Sequence, residues 1–289
     1  MADRKLRIAV TGAGGQLGRE LTNLRIEDVE WLSWTRRELD ITDEAQCRSK
    51  LAEEKPDAVI HAAAYTAVDQ AESDAETAYL VNALGTRYMA EVAEATGAKF
   101  CYVSTDYVFD GKGTAPYQEE DAPNPQTVYG RTKLEGERMA LAQCSKSFVV
   151  RTSWVYGGYG SNFVATMLRL GRTHEQVKVV DDQVGSPTYT LDLARFLTEL
   201  VRTEHYGIYH ASNTGTCSWY EFAQAIFELS GSGTKVIPCT TAEFPRPAPR
   251  PAYSVLGQER LLRMGFEPLR PWRSALEEFL ASYNFPALP

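Results

Sequence analysis

The feature that most constrains this chain is a glycine-rich turn close to its start. Leu6-Arg7-Ile8-Ala9-Val10 reads as a short buried strand and runs directly into Thr11-Gly12-Ala13-Gly14-Gly15-Gln16-Leu17-Gly18, from which Gln16–Leu24 continues with helical spacing. Gly12, Gly15 and Gly18 form a GxxGxxG spacing, a variant of the dinucleotide fingerprint. Glycine lets the backbone turn sharply and approach a pyrophosphate, while the helix N-terminus behind it offers partial positive charge. A plain strand-to-helix turn with glycines for packing is the alternative. The position at the first β–α junction favours a dinucleotide.

The rest of the first half repeats the alternation. Trp31–Trp34, Ala58–Ala62, Phe100–Ser104 and Phe148–Arg151 are further strand candidates, and Glu44–Glu54, Ala75–Thr96 and Val128–Cys144 have helical spacing between them. Strands separated by helices predict an α/β fold, a Rossmann-like doubly wound parallel sheet whose ligand crevice lies at the carboxyl ends of the strands. The character changes near residue 155. Phe163–Leu170, Ser218–Leu229 and Ser274–Tyr283 look helical, Val177–Val180 and Ile208–His210 look like short strands, and the alternate prolines of Phe244–Pro251 exclude regular structure. The expected division is a dinucleotide-binding domain over 1–155 and a smaller, mainly substrate-binding part over 156–289, with some segments returning to the first.

Composition bounds the function. The chain has 289 residues, and its 38 acidic against 30 basic side chains leave a net charge of −8, so a fold-wide basic field for nucleic acid is excluded. No uninterrupted apolar run approaches the ~18 residues that a membrane span requires, and the charged N-terminus leads straight into a strand without a signal-like apolar region. Five cysteines, Cys47, Cys101, Cys144, Cys217 and Cys239, lie far apart with no metal-ligand spacing, as expected of free thiols in a reducing cytoplasm.

Three further motifs fall at strand ends. The second strand ends in Thr35-Arg36-Arg37 with Glu38 and Asp40 close behind. An arginine there favours the 2′-phosphate of NADPH, whereas a carboxylate would accept the ribose hydroxyl of NADH, so NADPH is preferred with NADH tolerated. Tyr129 and Lys133 form a YxxxK pair on one helix face, where the lysine is expected to lower the phenol pKa enough for proton exchange near neutrality. An ordinary surface pair is the alternative. Ser104-Thr105-Asp106-Tyr107 places hydroxyls at the exit of the fourth strand, either to bond a substrate carbonyl or to cap the strand.

Together these motifs resemble the extended short-chain dehydrogenase/reductase family. Five segments bring the resemblance to its dTDP-4-dehydrorhamnose reductase branch over essentially the whole chain: Glu38–Asp43 (ELDITD), Ala62–Asp69 (AAAYTAVD), Ser104–Gly111 (STDYVFDG), Val179–Pro187 (VVDDQVGSP) and Arg250–Ser254 (RPAYS). The resemblance implies hydride transfer from a nicotinamide to C4 of a dTDP-linked 4-keto-6-deoxy sugar. Tyr129 is then the proton donor, Lys133 its electrostatic partner and ribose anchor, and Thr105 the hydroxyl that polarises the ketone.

By the same resemblance Gly12, Gly15, Gln16, Leu17 and Gly18 hold the pyrophosphate. Arg36, Asp40 and Ile41 flank the adenosine, Ala64, Tyr65 and Thr66 form the turn that backs the ribose and pyrophosphate, and Ala63 and Val103 also contact the cofactor. Val68, Thr105, Asp106, Tyr107 and Trp154 meet the sugar nucleotide, with core packing the alternative for Trp154. Arg250 reaches the diphosphate, or else its proline-rich flank is a polyproline II linker. His61 reads as a hydrogen-bonded core residue. Some family members dimerise through magnesium, but no residue here is matched to those ligands, and monomer and homodimer both stay open. Two other readings remain: a sister sugar-nucleotide epimerase, reductase or dehydratase, and an NADP(H)-binding regulatory subunit like the β subunit of methionine adenosyltransferase. Tyr107 stands where a dehydratase would carry a second carboxylate, and the intact Thr105, Tyr129 and Lys133 speak against a purely regulatory role.

Overall fold

A computed structural model describes residues 4–283. Its first part comprises β1 (Leu6–Thr11), α1 (Gln16–Asn23), β2 (Val29–Trp34), α2 (Glu44–Glu54), β3 (Ala58–His61), α3 (Val68–Ala71), α4 (Ala75–Tyr79), α5 (Gly85–Thr96), β4 (Lys99–Thr105), α6 (Val128–Gln143) and β5 (Ser147–Thr152). The second part contains β6 (Val155–Tyr156), α7 (Phe163–Leu170), β7 (Gln176–Val180), β8 (Val184–Gly185), β9 (Thr188–Tyr189), α8 (Thr190–Leu200), β10 (Gly207–His210), β11 (Cys217–Ser218), α9 (Trp219–Leu229), β12 (Lys235–Cys239), α10 (Glu259–Arg263) and α11 (Trp272–Ser282). Among the described residues no helix is long and apolar enough to cross a membrane.

Six strands pair in the order β10-β5-β4-β3-β1-β2, all parallel. Side chains alternate between the two faces because a strand has a period of two. Ile8, Val10, Ala58, Ile60, Phe148 and Val150 enter one core with Leu21 of α1 and Leu193, Leu197 and Leu200 of α8. Ala9, Val59, Phe100, Tyr102 and Val149 enter the other with Cys47 and Leu51 of α2, Met89 and Ala93 of α5 and Ala140 of α6. Both faces of the sheet are therefore covered, which is why its strands read as continuous apolar runs. The chain leaves β1 toward β2 on one side and returns to β3 on the other, so a crevice opens between the carboxyl ends of β1 and β3.

The five expected strands of the first half all form. One helical expectation needs correction. The segment 75–96 is not a single regular helix, because Leu80–Leu84 widens into a π-turn between α4 and α5. Helix α8, which escapes the sequence reading, supplies much of the core on the α1 face. A third core, rich in aromatic rings, joins α7, α9 and α11 around Tyr156, Phe222 and Phe279. Residues 244–251 form neither helix nor strand, as their prolines dictate.

Candidate active site

The β1–α1 turn is built by close backbone approach. Gly12 has φ +66°, and a Cβ on it would lie 2.8 Å from Cα of Ala63 in the loop after β3. A Cβ on Gly18 would overlap the Gly12 carbonyl oxygen, so helix α1 starts hard against the loop only because that position is bare. Gly12 then accepts from the Gly15 N–H at 2.9 Å. Beneath the turn, the Thr11 hydroxyl accepts from the Ala63 N–H at 3.2 Å and bonds His61 Nδ1 at 2.9 Å. His61 is fully buried, its pKa pushed down to about 3 by burial and by the charge of Lys133, so it stays neutral and structural.

These loops open onto a cleft of about 810 Å³ at the carboxyl ends of the strands. Gly12, Gly15, Gln16 and Leu17 line one end, while Gly18 packs beneath the turn and does not face the space. Arg36, Asp40 and Ile41 line the same end after β2. Asp40 accepts from the Thr42 N–H and hydroxyl at 3.0 and 2.7 Å, bonds that hold its carboxyl below the usual range. Glu38 closes its own turn by accepting from the Thr35 N–H at 3.0 Å. The Arg36 guanidinium lies 3.7 Å from Asp40 and is largely exposed, so it is available to an anion. The cradle, the bare Gly12–Ala63 approach and this arginine fit a dinucleotide with a 2′-phosphate.

Ala63, Ala64, Tyr65, Thr66 and Val68 continue the wall from the loop after β3. Asn82, in the π-turn, clamps this loop: its Oδ1 accepts from the Tyr65 N–H at 2.8 Å. Its Nδ2 donates to the Tyr65 carbonyl at 3.2 Å and to the Thr132 hydroxyl of α6 at 3.0 Å. A π-turn at a functional wall is a common use of that irregularity. It escapes the sequence reading because one inserted residue per turn leaves no mark in apolar spacing.

Val103, Thr105, Asp106, Tyr107, Tyr129, Lys133 and Trp154 meet around the other end of the cleft. Thr127 caps α6 by accepting from the Gly130 N–H at 2.9 Å, which sets Tyr129 and Lys133 one turn apart on the cleft face. The Thr105 hydroxyl donates to Asp106 at 2.9 Å. Lys133 Nζ donates to the Val103 carbonyl at 2.7 Å, and burial lowers the amine to about 7 although Glu137 opposes the shift. Burial likewise raises the Tyr129 phenol to about 12, with a hydrogen bond to Thr105 pulling the other way. This phenol thus lies above its usual value, set chiefly by its own desolvation, and not near the neutrality expected from the YxxxK spacing. Asp106 is raised to about 6, chiefly by burial, with the hydroxyls of Thr105 and Ser254 opposing the shift.

A model of the RmlD substrate binding domain matches residues 6–285. The chain belongs to that family. It is 48% identical over 292 residues to a Streptomyces griseus dTDP-4-dehydrorhamnose reductase, covering 98% of this chain and 94% of that protein. The crystal structure of a dTDP-4-dehydrorhamnose reductase from Bacillus anthracis in complex with NADP superposes with a TM-score of 0.94 at 44% identity, covering 96% of this chain and 99% of the other. A crystal structure of a dTDP-4-dehydrorhamnose reductase from Clostridium acetobutylicum gives 0.93 at 47% identity, covering 95% and 98%.

Besides Gly18, one expected site residue, Arg250, is not part of the cleft lining. Arg250 pairs with Asp69, Nη2 to Oδ2 at 2.8 Å, and the same carboxylate accepts from the Ala248 N–H at 3.3 Å. Asp69 follows the cleft-lining Val68 at the start of α3, so this ion pair ties the proline-rich segment to the loop after β3, with the Arg250 charge felt by Tyr107 in the cleft wall. Thr42, Ser104, Thr152, Ser153 and Ser161 line the cleft as well. Small hydroxyls carry no motif of their own, and only the strand ends on which they sit could have pointed to them.

Proposed function

We propose that this chain reduces the C4 ketone of dTDP-4-dehydro-L-rhamnose to dTDP-L-rhamnose with NADPH, accepting NADH as well, in the last step of dTDP-rhamnose biosynthesis. The observation that carries the reading is the convergence of Thr105, Tyr129 and Lys133 on a cleft whose far end is the Gly12 turn. Relatives named as reductases of this substrate support it.

The bound nicotinamide supplies the hydride that reaches C4. Tyr129, protonated at physiological pH because burial holds it near 12, gives its proton to the oxygen that becomes the hydroxyl. Thr105 turns its hydroxyl from Asp106 to that oxygen and stabilises the charge developing there. Lys133, with its proton finely balanced near neutrality, stabilises the phenolate left on Tyr129 and anchors the cofactor ribose. Arg36 meets the 2′-phosphate, while Gly12, Gly15 and the start of α1 receive the pyrophosphate.

Val68, Asp106, Tyr107 and Trp154 contact the sugar nucleotide. Arg250 reaches its diphosphate by exchanging Asp69 for phosphate oxygens. Residues 1–155 hold the cofactor and 156–289 mainly the substrate. The reaction is placed in the cytoplasm, whose reducing conditions suit the five free thiols. Following NADPH absorbance with freshly generated dTDP-4-dehydro-L-rhamnose, with NADH in parallel, tests the reading. Rapid substrate-dependent oxidation is expected. Tight NADPH binding without oxidation would move the weight to a regulatory subunit or another sugar nucleotide.

A further inference from the structure

Trp154 holds a backbone conformation that tryptophan rarely adopts. Its φ is +48°, and among the described non-glycine residues only Lys55 shares the left-handed region. For a bulky side chain this conformation persists only where the surroundings over-determine it. Here the surroundings form a slot. The Trp219 ring lies parallel to the Trp154 ring at 8°, with centroids 3.6 Å apart. At the edge of Trp154, a Cβ on Gly185 would come within 2.5 Å of its Cε2, so the ring occupies space that only glycine leaves free. The Trp154 carbonyl accepts from the Thr188 N–H at 3.2 Å.

Both walls of the slot belong to one small unit. Strand β8 pairs antiparallel with β11, placing Gly185 opposite Cys217, and α9 begins with Trp219 directly after β11. Ser218 and Glu221 close a reciprocal capping box that fixes the first turn of α9. Phe163 of α7 backs Trp219 with ring centroids 4.6 Å apart. Trp154 lines the cleft beside Ser153 and Val155, whereas Trp219 does not.

On the reading of this cleft as a sugar-nucleotide site, we propose that Trp219 is a positioning residue for the sugar: by stacking on Trp154 it fixes that indole as a rigid wall of the sugar subsite, with Gly185 as the gap that admits the ring. A preset wall spares the ordering cost of a mobile side chain when the sugar nucleotide binds. Trp219 therefore acts on sugar binding and leaves the proton and hydride chemistry alone.

Steady-state kinetics and circular dichroism of the NADP-bound protein test this. Trp219→Leu is expected to raise KM for dTDP-4-dehydro-L-rhamnose about tenfold, with kcat and the KM for NADPH within about twofold. Trp219→Phe, which keeps a stacking face, recovers most of that loss. Two indoles this close give a bisignate far-ultraviolet band, which Trp219→Leu and Trp154→Phe should both abolish. In the wild type, dTDP-L-rhamnose should perturb the band and dTDP alone should not, a measurement that stands even if the leucine variant fails to fold. An unchanged sugar-nucleotide KM with the band lost, an equal rise in the KM for NADPH, or an equal response to dTDP alone overturns the proposal. Absence of turnover in the wild type would instead defeat the substrate reading on which it rests.

Discussion

The ammonium of Lys133 is tethered to Val103, not to Tyr129. Its Nζ lies 2.7 Å from the Val103 carbonyl oxygen and 4.0 Å above the Tyr102 ring. Both partners belong to β4, the strand that ends in Thr105. Helix α6, carrying the tyrosine and the lysine, is thereby pinned to the strand carrying the threonine.

Replacing Lys133 by Met removes that tether and the charge. Turnover and NADPH affinity should both fall, the second measured by fluorescence titration of the cofactor. An unchanged NADPH dissociation constant would remove the ribose from the roles assigned to this lysine.

Tyr129→Phe isolates the proton. The ring and its edge-on packing with Tyr107, centroids 5.5 Å apart, survive the change. Turnover should drop by about 10²-fold or more, while NADPH affinity stays within a few fold. Near wild-type turnover in this variant would sink the acid role.

Asp106 provides a pH test. Its folded pKa, raised by burial to about 6, exceeds the usual value of 3.8. The protonated form therefore favours the native state: its stabilising contribution is complete below 3.8 and is lost as pH rises through about 6. Asp106→Asn, which mimics the protonated form, should melt higher than the wild type at about pH 8 and equally near pH 4. The ionised carboxylate is the stronger acceptor for a sugar hydroxyl, so the wild-type KM for the sugar nucleotide should fall as pH rises through this range. A flat wild-type profile identical to that of the asparagine variant would remove Asp106 from the sugar contacts.

Glu137 of α6 and Arg151 of β5 form a buried ion pair at 2.7 Å, with side-chain exposures of 3% and 2%. Glu137 also accepts from the Ser104 hydroxyl at 2.5 Å, and Arg151 Nη1 lies 3.3 Å from His210 Nε2. Glu137→Gln leaves the guanidinium uncompensated and should cost about 3–5 kcal/mol in urea unfolding. A loss below about 1 kcal/mol would show that the pair is dispensable for stability.

What the sequence discloses here follows from locality. The Gly12 turn, the YxxxK pair and the five apolar strands of the first half are short-range patterns, and each appears where its spacing places it. Residues whose roles depend on distant partners were less accessible. Helix α8 follows the short β9 with no turn residues between them, and its apolar face has meaning only against α1. Asn82 is an ordinary helical residue until the π-turn aims it at Tyr65. The Arg250–Asp69 pair joins segments far apart in the chain, which no local spacing encodes. The pKa of Tyr129 depends on how fully neighbouring elements bury it, which spacing along one helix does not encode.

The sixth strand of the main sheet has a consequence for how the molecule is made. Strand β10 is parallel to β5 and covers its outer edge, yet it comes from residues 207–210, after α8. During synthesis the edge of β5, every residue of which ends up buried, waits unpaired until that later stretch leaves the ribosome. A fragment stopped at residue 155 would keep that sticky edge permanently and should self-associate. Residues 1–155 are thus no detachable cassette, and the completion of their sheet is timed by the stretch that follows.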